Sequence, residues 1–167
     1  SAIVAGTAAT AVNAVNDPRS LGEQFDDNTV EIKAMLELMK DDGIDKHTNL
    51  NVISYAGEVL VVGQSPNQFL IDNAIKIISA IEGVKKVHNQ IKLGTPVTLS
   101  VKTSDTWITT KVKTELLTDD TVQGHIIKVI TENKIVYLMG KVDKSQSEKA
   151  AQIAASVSGV EQVITVF

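Results

Sequence analysis

The stretch "NVISYAGEVLVVGQS" at residues 51 to 65 returns as "KVITENKIVYLMGKV" at 128 to 142. An internal repeat limits the fold more than any single motif, because each copy is one structural unit with the same inward positions. Val52 falls on Val129, Val59 on Val136 and Gly63 on Gly140. The match continues from "AIKIISAIEGVKKVHNQI" (74 to 91) to "AAQIAASVSGVEQVITVF" (150 to 167), setting Ile77 on Ile153, Ile81 on Val157, Gly83 on Gly159 and Val87 on Val163. Upstream, "IKAML" at 32 to 36 answers "VKTEL" at 112 to 116, with Ile32 on Val112 and Leu36 on Leu116. Two copies of a unit of roughly 65 residues fill most of the chain, joined by "LGTPVTLSVKTS".

Each copy reads helix, strand, strand, helix, strand. Residues 51 to 55 and 58 to 63 are β-branched runs flanking "AG", which is hairpin chemistry, and Asn133 occupies the same tight turn in the second copy. Lys134 stands where the first copy has Gly57, so Asn133 is expected to carry most of the left-handed strain. Ser65 is the expected cap of the second helix in copy one, with Pro66 in its first turn, and Asp143 is the expected cap in copy two. Gly83 and Gly159 fit helix C-termini. A final strand follows, and a strand-helix-strand crossover is right-handed and parallel.

The expected fold class is therefore α+β: two tandem αββαβ units, each a three-stranded mixed sheet packed on two helices. The boundaries expected are an N-terminal tail and linker at 1–26, domains at 27–94 and 105–167, and a linker at 95–104. Ile32, Leu36, Val52, Val59, Ile77 and Ile81 should share one core, and Val112, Leu116, Val129, Val136, Ile153 and Val157 the other. The polar "DDGIDKHTN" (41 to 49) is read as a connection from helix to strand, since it lacks the alternating ligands and terminal Glu of a calcium loop.

The N-terminal "SAIVAGTAATAVNAVN" has no charge before Asp17 and lacks the basic region of a signal peptide. It begins without Met and reads as the region just after a processing site, expected to be a tail.

The doubled pattern, with its "VxLxG"-like hairpins (Val59, Leu60, Gly63; Val136, Leu138, Gly140) and its Gly-Val closes (Gly83, Val84, Val87; Gly159, Val160, Val163), resembles the BON domain. The segments "DPRS" (17 to 20), "VGQSPN" (62 to 67), "DTWITTKV" (105 to 112), "TEN" (131 to 133) and "VSGV" (157 to 160) are similar to the dual BON-domain outer-membrane lipoproteins of Gram-negative bacteria, the DolP or YraP type. That resemblance implies a non-enzymatic protein on the periplasmic face of the outer membrane, held by a lipidated N-terminal cysteine. It further implies binding of anionic phospholipid through the first helix of the second domain, a role in outer-membrane integrity, and concentration at division sites. The anchor cysteine is absent and Ser1 stands just past its place, which reads either as a form made without the anchor or as a secreted relative that never had one.

The helix "DTWITTKVKTELL" (105 to 117) carries the only tryptophan. At helical spacing Ile108, Val112 and Leu116 form one apolar stripe, which leaves Trp107, Lys111 and Leu117 turned away from it. With Ile32 on Val112, the repeat register puts Asp27 under Trp107, Glu31 under Lys111 and Glu37 under Leu117. Copy one then has a solvated acidic face where copy two has an aromatic, a base and an aliphatic. An indole beside Lys111 and Lys113 suits the headgroup level of a bilayer. Together with the resemblance, this gives Trp107, Ile108, Thr110, Lys111, Lys113, Thr114 and Leu117 as the lipid-binding set. Anionic phospholipid, phosphatidylglycerol above all, is the expected ligand, in a peripheral membrane contact. The first domain, with its acids, should bind no comparable lipid. A second class of reading keeps the same face as a dock for an envelope protein, the other domain or the linker.

Composition excludes other classes. A net charge of −4 without clustered bases argues against nucleic acid. With no cysteine there is no disulfide framework, thiolate metal site or cysteine nucleophile. His47, His88 and His125 share no metal-ligand spacing, and no nucleophile elbow or phosphate loop is present. The expectation is no catalytic residue, no metal and no cofactor.

Overall fold

The computed structural model describes residues 3–7 and 19–167 and divides the chain into two compact units. The N-terminal strand β1 (Ile3–Thr7) belongs with the second. The first unit runs through α1 (Leu21–Met39), α2 (Asp42–His47), β2 (Asn49–Tyr55), β3 (Glu58–Ser65), α3 (Gln68–Ser79) and β4 (Lys86–Leu93). The second runs through α4 (Leu99–Thr118), a 3-10 turn (Gly124–Ile126), β5 (Lys128–Glu132), β6 (Ile135–Met139), α5 (Lys144–Ala155) and β7 (Gln162–Val166). In each, an antiparallel hairpin (β2–β3, β5–β6) is joined in parallel by a final strand (β3–β4, β6–β7). The fold is the doubled α+β arrangement that the repeat implies, with helices packed on each mixed sheet.

Both hairpin turns place two residues at positive φ: Ala56 (52°) and Gly57 (82°), then Asn133 (50°) and Lys134 (65°). This is the twist-matched two-residue turn. Lys134 thus shares the left-handed strain expected mainly of Asn133. What holds both turns is an aspartate from the preceding helix. Asp27 accepts from the amides of Ala56 at 2.6 Å and Gly57 at 3.0 Å, while Asp105 accepts from Asn133 at 2.7 Å and Lys134 at 2.9 Å.

These aspartates fix the true register of the repeat. With Asp27 matched to Asp105, Val30 falls on Ile108, Ala34 on Val112 and Leu38 on Leu116, and all six are buried. A Cβ on Gly83 would lie 3.2 Å from Val30, and one on Gly159 would lie 3.2 Å from Ile108, so the two turns sit on the same step of each helix. Ile32 and Leu36, expected in the first core, are instead 61 % and 54 % exposed. The other positions of that core are buried or packed against it, as are all six in the second unit.

Local boundaries also differ from expectation. α1 begins at Leu21 because Ser20 and Glu23 form a reciprocal capping box, and α4 begins at Leu99 because the Thr98 hydroxyl accepts from Val101 N–H. Much of what reads as linker is therefore helix. The connection at 41 to 49 contains α2, capped by Asp41 and pinned by the buried Ile44. The cap of α3 is Asn67, which accepts from Leu70 N–H at 2.9 Å, whereas Ser65 ends β3 and its hydroxyl donates to the Asn67 carbonyl. Asp143 caps α5. Ile3–Thr7, expected to be tail, pairs in parallel with β7, so the second sheet has the order β1-β7-β6-β5. The rest of that tail, residues 8–18, lies outside the described residues.

Gly63 has φ +132°, and a Cβ there would overlap the Asn49 carbonyl oxygen across the ladder. Gly63→Ala is expected to destabilise the first unit by about 2–4 kcal/mol, combining backbone strain with overpacking. Calorimetry should show the first unit's transition falling while the second's stays.

The outward face of α4, a candidate membrane-contact site

α4 is anchored on its inner side. Ile108, Val112 and Leu116 are no more than 1 % exposed, and Asp105, itself buried, ties the first turns of that stripe to the β5–β6 turn. Ile108, expected among the lipid-facing residues, is thus a core residue; it follows Trp107 by 100° around the helix and points into the sheet. The remaining members of that set lie where a ligand can reach them. Trp107 is 56 % and Leu117 62 % exposed, and Thr110, Lys111, Lys113 and Thr114 are exposed.

The longer helix adds a residue that sequence reading left in a linker. Leu99, 79 % exposed, is 18 residues before Leu117, five full turns, and so shares its azimuth. Along the same side, from Thr103 to Thr118, runs a row of threonines whose hydroxyls turn back onto the helix. Thr103, Thr106, Thr110, Thr114 and Thr118 each donate to the carbonyl four residues earlier at 2.9–3.1 Å. Their hydrogens are thereby used internally, and methyl groups are left to face outward. The resulting surface of indole, leucine and threonine methyls is more apolar than its composition suggests.

Charge sits at the edges. Lys111 Nζ lies 5.8 Å from the indole centroid, within cation–π range, and Lys102 and Lys113 are exposed as well. Against these three bases α4 exposes one acid, Glu115, because Asp105 faces inward.

In the corrected register α1 has Thr29 at the place of Trp107, Ile32 at Thr110, Lys33 at Lys111, Leu36 at Thr114 and Met39 at Leu117. The expected replacement of three acids by contact residues therefore does not occur: Asp27, Glu31 and Glu37 stand opposite Asp105, Thr109 and Glu115. α1 in fact exposes Ile32, Met35, Leu36 and Met39, a second apolar stripe opposite its core face. A difference in charge survives. Apart from the buried Asp27, α1 carries Glu23, Asp26, Glu31 and Glu37 against Lys33, with Lys40 at its cap already bonded to Glu37.

Among the described residues no group of three or more His, Asp or Glu is placed to hold a metal ion, and no helix is long and apolar enough to cross a membrane. His88 Nε2 lies 2.9 Å from Glu58 Oε1 at the sheet surface.

A BON-domain model matches residues 26–95 and 104–167. The chain is 39 % identical to the outer membrane lipoprotein DolP of Haemophilus influenzae, over 99 % of its own length and 86 % of that protein's. It is 38 % identical to the 21 kDa hemolysin of Actinobacillus pleuropneumoniae, covering 90 % and 78 %, and 31 % identical to the osmotically-inducible protein Y of Escherichia coli, covering 98 % and 88 %. With two matched domains, a doubled αββαβ fold and this likeness across nearly its whole length, the chain belongs to the BON-domain family, as a tandem member of the DolP type.

Proposed function

We propose that the chain is a non-enzymatic, outer-membrane-associated BON protein whose α4 face lies among the headgroups of an anionic bilayer, with phosphatidylglycerol the favoured lipid. The observation that carries this reading is the exposed Trp107, set opposite the core on a threonine-methyl face rimmed by lysines. Such a surface satisfies its own polar groups before it leaves water, and its cations meet phosphate where the apolar part ends. The likeness to a protein named an outer membrane lipoprotein supports the association with that membrane; a place on its periplasmic face, its upkeep and enrichment at division sites are the finer parts of the same proposal. An N-terminal lipid tether and the α4 face then act as two weak contacts that together give durable attachment.

Titration with phosphatidylglycerol micelles, followed by NMR, tests this. Backbone amides between Leu99 and Leu117 should move most; movement centred on α1 or the sheets would overturn the assignment. Lys111→Ala should weaken vesicle binding about fivefold at low salt, the effect of roughly 1 kcal/mol per surface lysine, and less at high salt. Binding indifferent to lipid charge and salt would give the face to an envelope protein instead.

A further inference from the structure

Ile3–Thr7 pairs residue for residue with the outer edge of β7, Ile3 opposite Gln162 and Thr7 opposite Val166. The two equivalent edges of the repeat differ in what they offer a fourth strand. β4 carries Lys86 and Lys92, and the Asn89 side chain accepts from the Ile91 amide at 3.0 Å, a charged and partly capped edge. No described strand lies beside it. β7, "QVITV", has no charge and three β-branched residues in its last four positions besides Thr165's own branch, an edge that invites a strand.

The register also says which end of the domain receives the chain's beginning. Gln162 pairs with Ile135, the first residue of β6, directly after the turn at Asn133 and Lys134. That turn is the one gripped by Asp105, two residues before Trp107. Ile3 therefore enters the sheet at the end where α4 presents its indole, and Thr7 leaves at the opposite end.

We propose that the β7 edge is an acceptor site for the chain's own N-terminal segment, and that docking of Ile3–Thr7 there delivers any membrane tether preceding it to the Trp107 end of the second unit. The consequence for membranes rests on the lipid-face reading above; the docking itself does not. Tethered this way, the α4 face meets the bilayer with little reorientation, whereas a free segment would leave the domain to find that orientation by diffusion.

The test uses the full chain and an Ala5→Pro/Gly6→Pro variant. Adjacent prolines remove an amide from each side of the strand, so one of them must face β7. The buried cluster of the second unit runs from Ile108 to Val163, and unchanged exchange in α4 checks that the variant keeps its fold. Hydrogen exchange should show every second amide of Val163–Val166 exchanging at least tenfold faster in the variant, with α4 unchanged; equal protection in both overturns the docking. A nitroxide on Ser1→Cys should broaden amides at Asn133, Lys134 and Glu161 more than those at Ile126 and Gly140, and the reverse pattern overturns the stated end. Finally, Ser1→Cys is coupled to maleimide lipid in neutral vesicles containing increasing phosphatidylglycerol. The Trp107 blue shift should need at least threefold less anionic lipid in the docked chain than in the proline variant. Equal demand overturns the delivery role. If the untethered chain shows no shift at any phosphatidylglycerol content, the lipid-face reading fails, while exchange and broadening still decide the docking.

Discussion

Asp27→Ala is expected to lower the stability of the first unit by about 3–5 kcal/mol, enough to bring its calorimetric transition down by more than about 10 °C and leave the second unit's in place. The carboxylate is 1 % exposed and has four donors: the Ser54 hydroxyl at 2.7 Å, the Ala56 and Gly57 amides, and Arg19 Nη1 at 2.9 Å. Truncation takes the Asp27 bond from the buried Arg19 guanidinium, which lies over the Tyr55 ring 4.4 Å from its centroid, and takes the carboxylate acceptor from two turn amides. Asp105→Ala should cost the second unit less, about 2–3 kcal/mol, because two amides lose a charged acceptor and no ion pair is broken. A change below about 1 kcal/mol for Asp27→Ala would mean that the turn holds itself. The effect has a pH signature. Burial pushes the Asp27 carboxyl up, but its donors, led by Ser54, outweigh that and hold it below the usual carboxylate range. A depressed folded value contributes stability at pH above about 4, the unfolded carboxyl's range, and loses it as pH falls through the folded value. The gap between native chain and Asp27→Ala should therefore be constant near neutrality and shrink below about pH 4.

The strands and the second helices were legible in sequence because a sheet has a strict period of two and the glycines pin its register. Gly63 on Gly140 and Val59 on Val136 leave no freedom to slip. The register of the first helix was not legible from hydrophobicity, because in α1 the outward stripe of Ile32, Leu36 and Met39 is bulkier than the inward stripe of Val30, Ala34 and Leu38. Matching by apolarity thus selected the wrong face. A different signal was present: Asp27 and Asp105 stand at similar distances before the two hairpin turns, and a buried carboxylate that caps a turn tolerates no shift. The ends of α1 and α4 were missed for a related reason. Their caps, Ser20 and Thr98, sit in stretches rich in Ser, Thr and Pro that read equally well as linker, and only the capping bonds distinguish the two. The outward face of α4 was legible through its one tryptophan, but Leu99 and the internal bonding of the threonine row needed the helix in place.

The corrected register also changes why the two units should differ toward lipid. Position-by-position replacement of acids by contact residues does not hold, and α1 exposes more apolar surface than α4. Its acids still oppose it: each charge near an anionic surface is worth about 1 kcal/mol, and α1 has Asp26 and Glu37 exposed and Glu23 and Glu31 half-buried where α4 exposes three lysines. The first unit should remain the weaker binder of phosphatidylglycerol at physiological salt, and the difference should narrow on neutral vesicles. Liposome flotation of each unit decides this; equal binding of anionic vesicles by both would assign attachment to apolar area alone.

Trp107→Glu should reduce binding to phosphatidylglycerol vesicles by a factor of about 100 while leaving thermal stability within about 0.5 kcal/mol of the native chain. Insertion of the indole supplies roughly 1.5–3 kcal/mol of apolar burial, and a carboxylate in its place adds repulsion of about 1 kcal/mol, so the two losses together, about 2.5–4 kcal/mol, bracket the 2.8 kcal/mol or so that a hundredfold requires. Stability is spared because the indole is more than half exposed, with Lys111 Nζ 5.8 Å from its ring centroid, and because the first unit folds with Thr29 at the same helical position. Leu117→Asp should act in the same direction from the far end of the face, whereas Thr110→Ser removes a methyl and keeps the hydroxyl bond to Thr106, and should weaken binding by no more than about threefold. Trp107 is the chain's single tryptophan, so its fluorescence reports the site without interference. Emission should be that of a hydrated indole in buffer and move to the blue with phosphatidylglycerol vesicles but not with neutral ones. A blue emission already present in buffer, with a large loss of stability in Trp107→Glu, would make the indole a packing residue and remove α4 as the membrane contact.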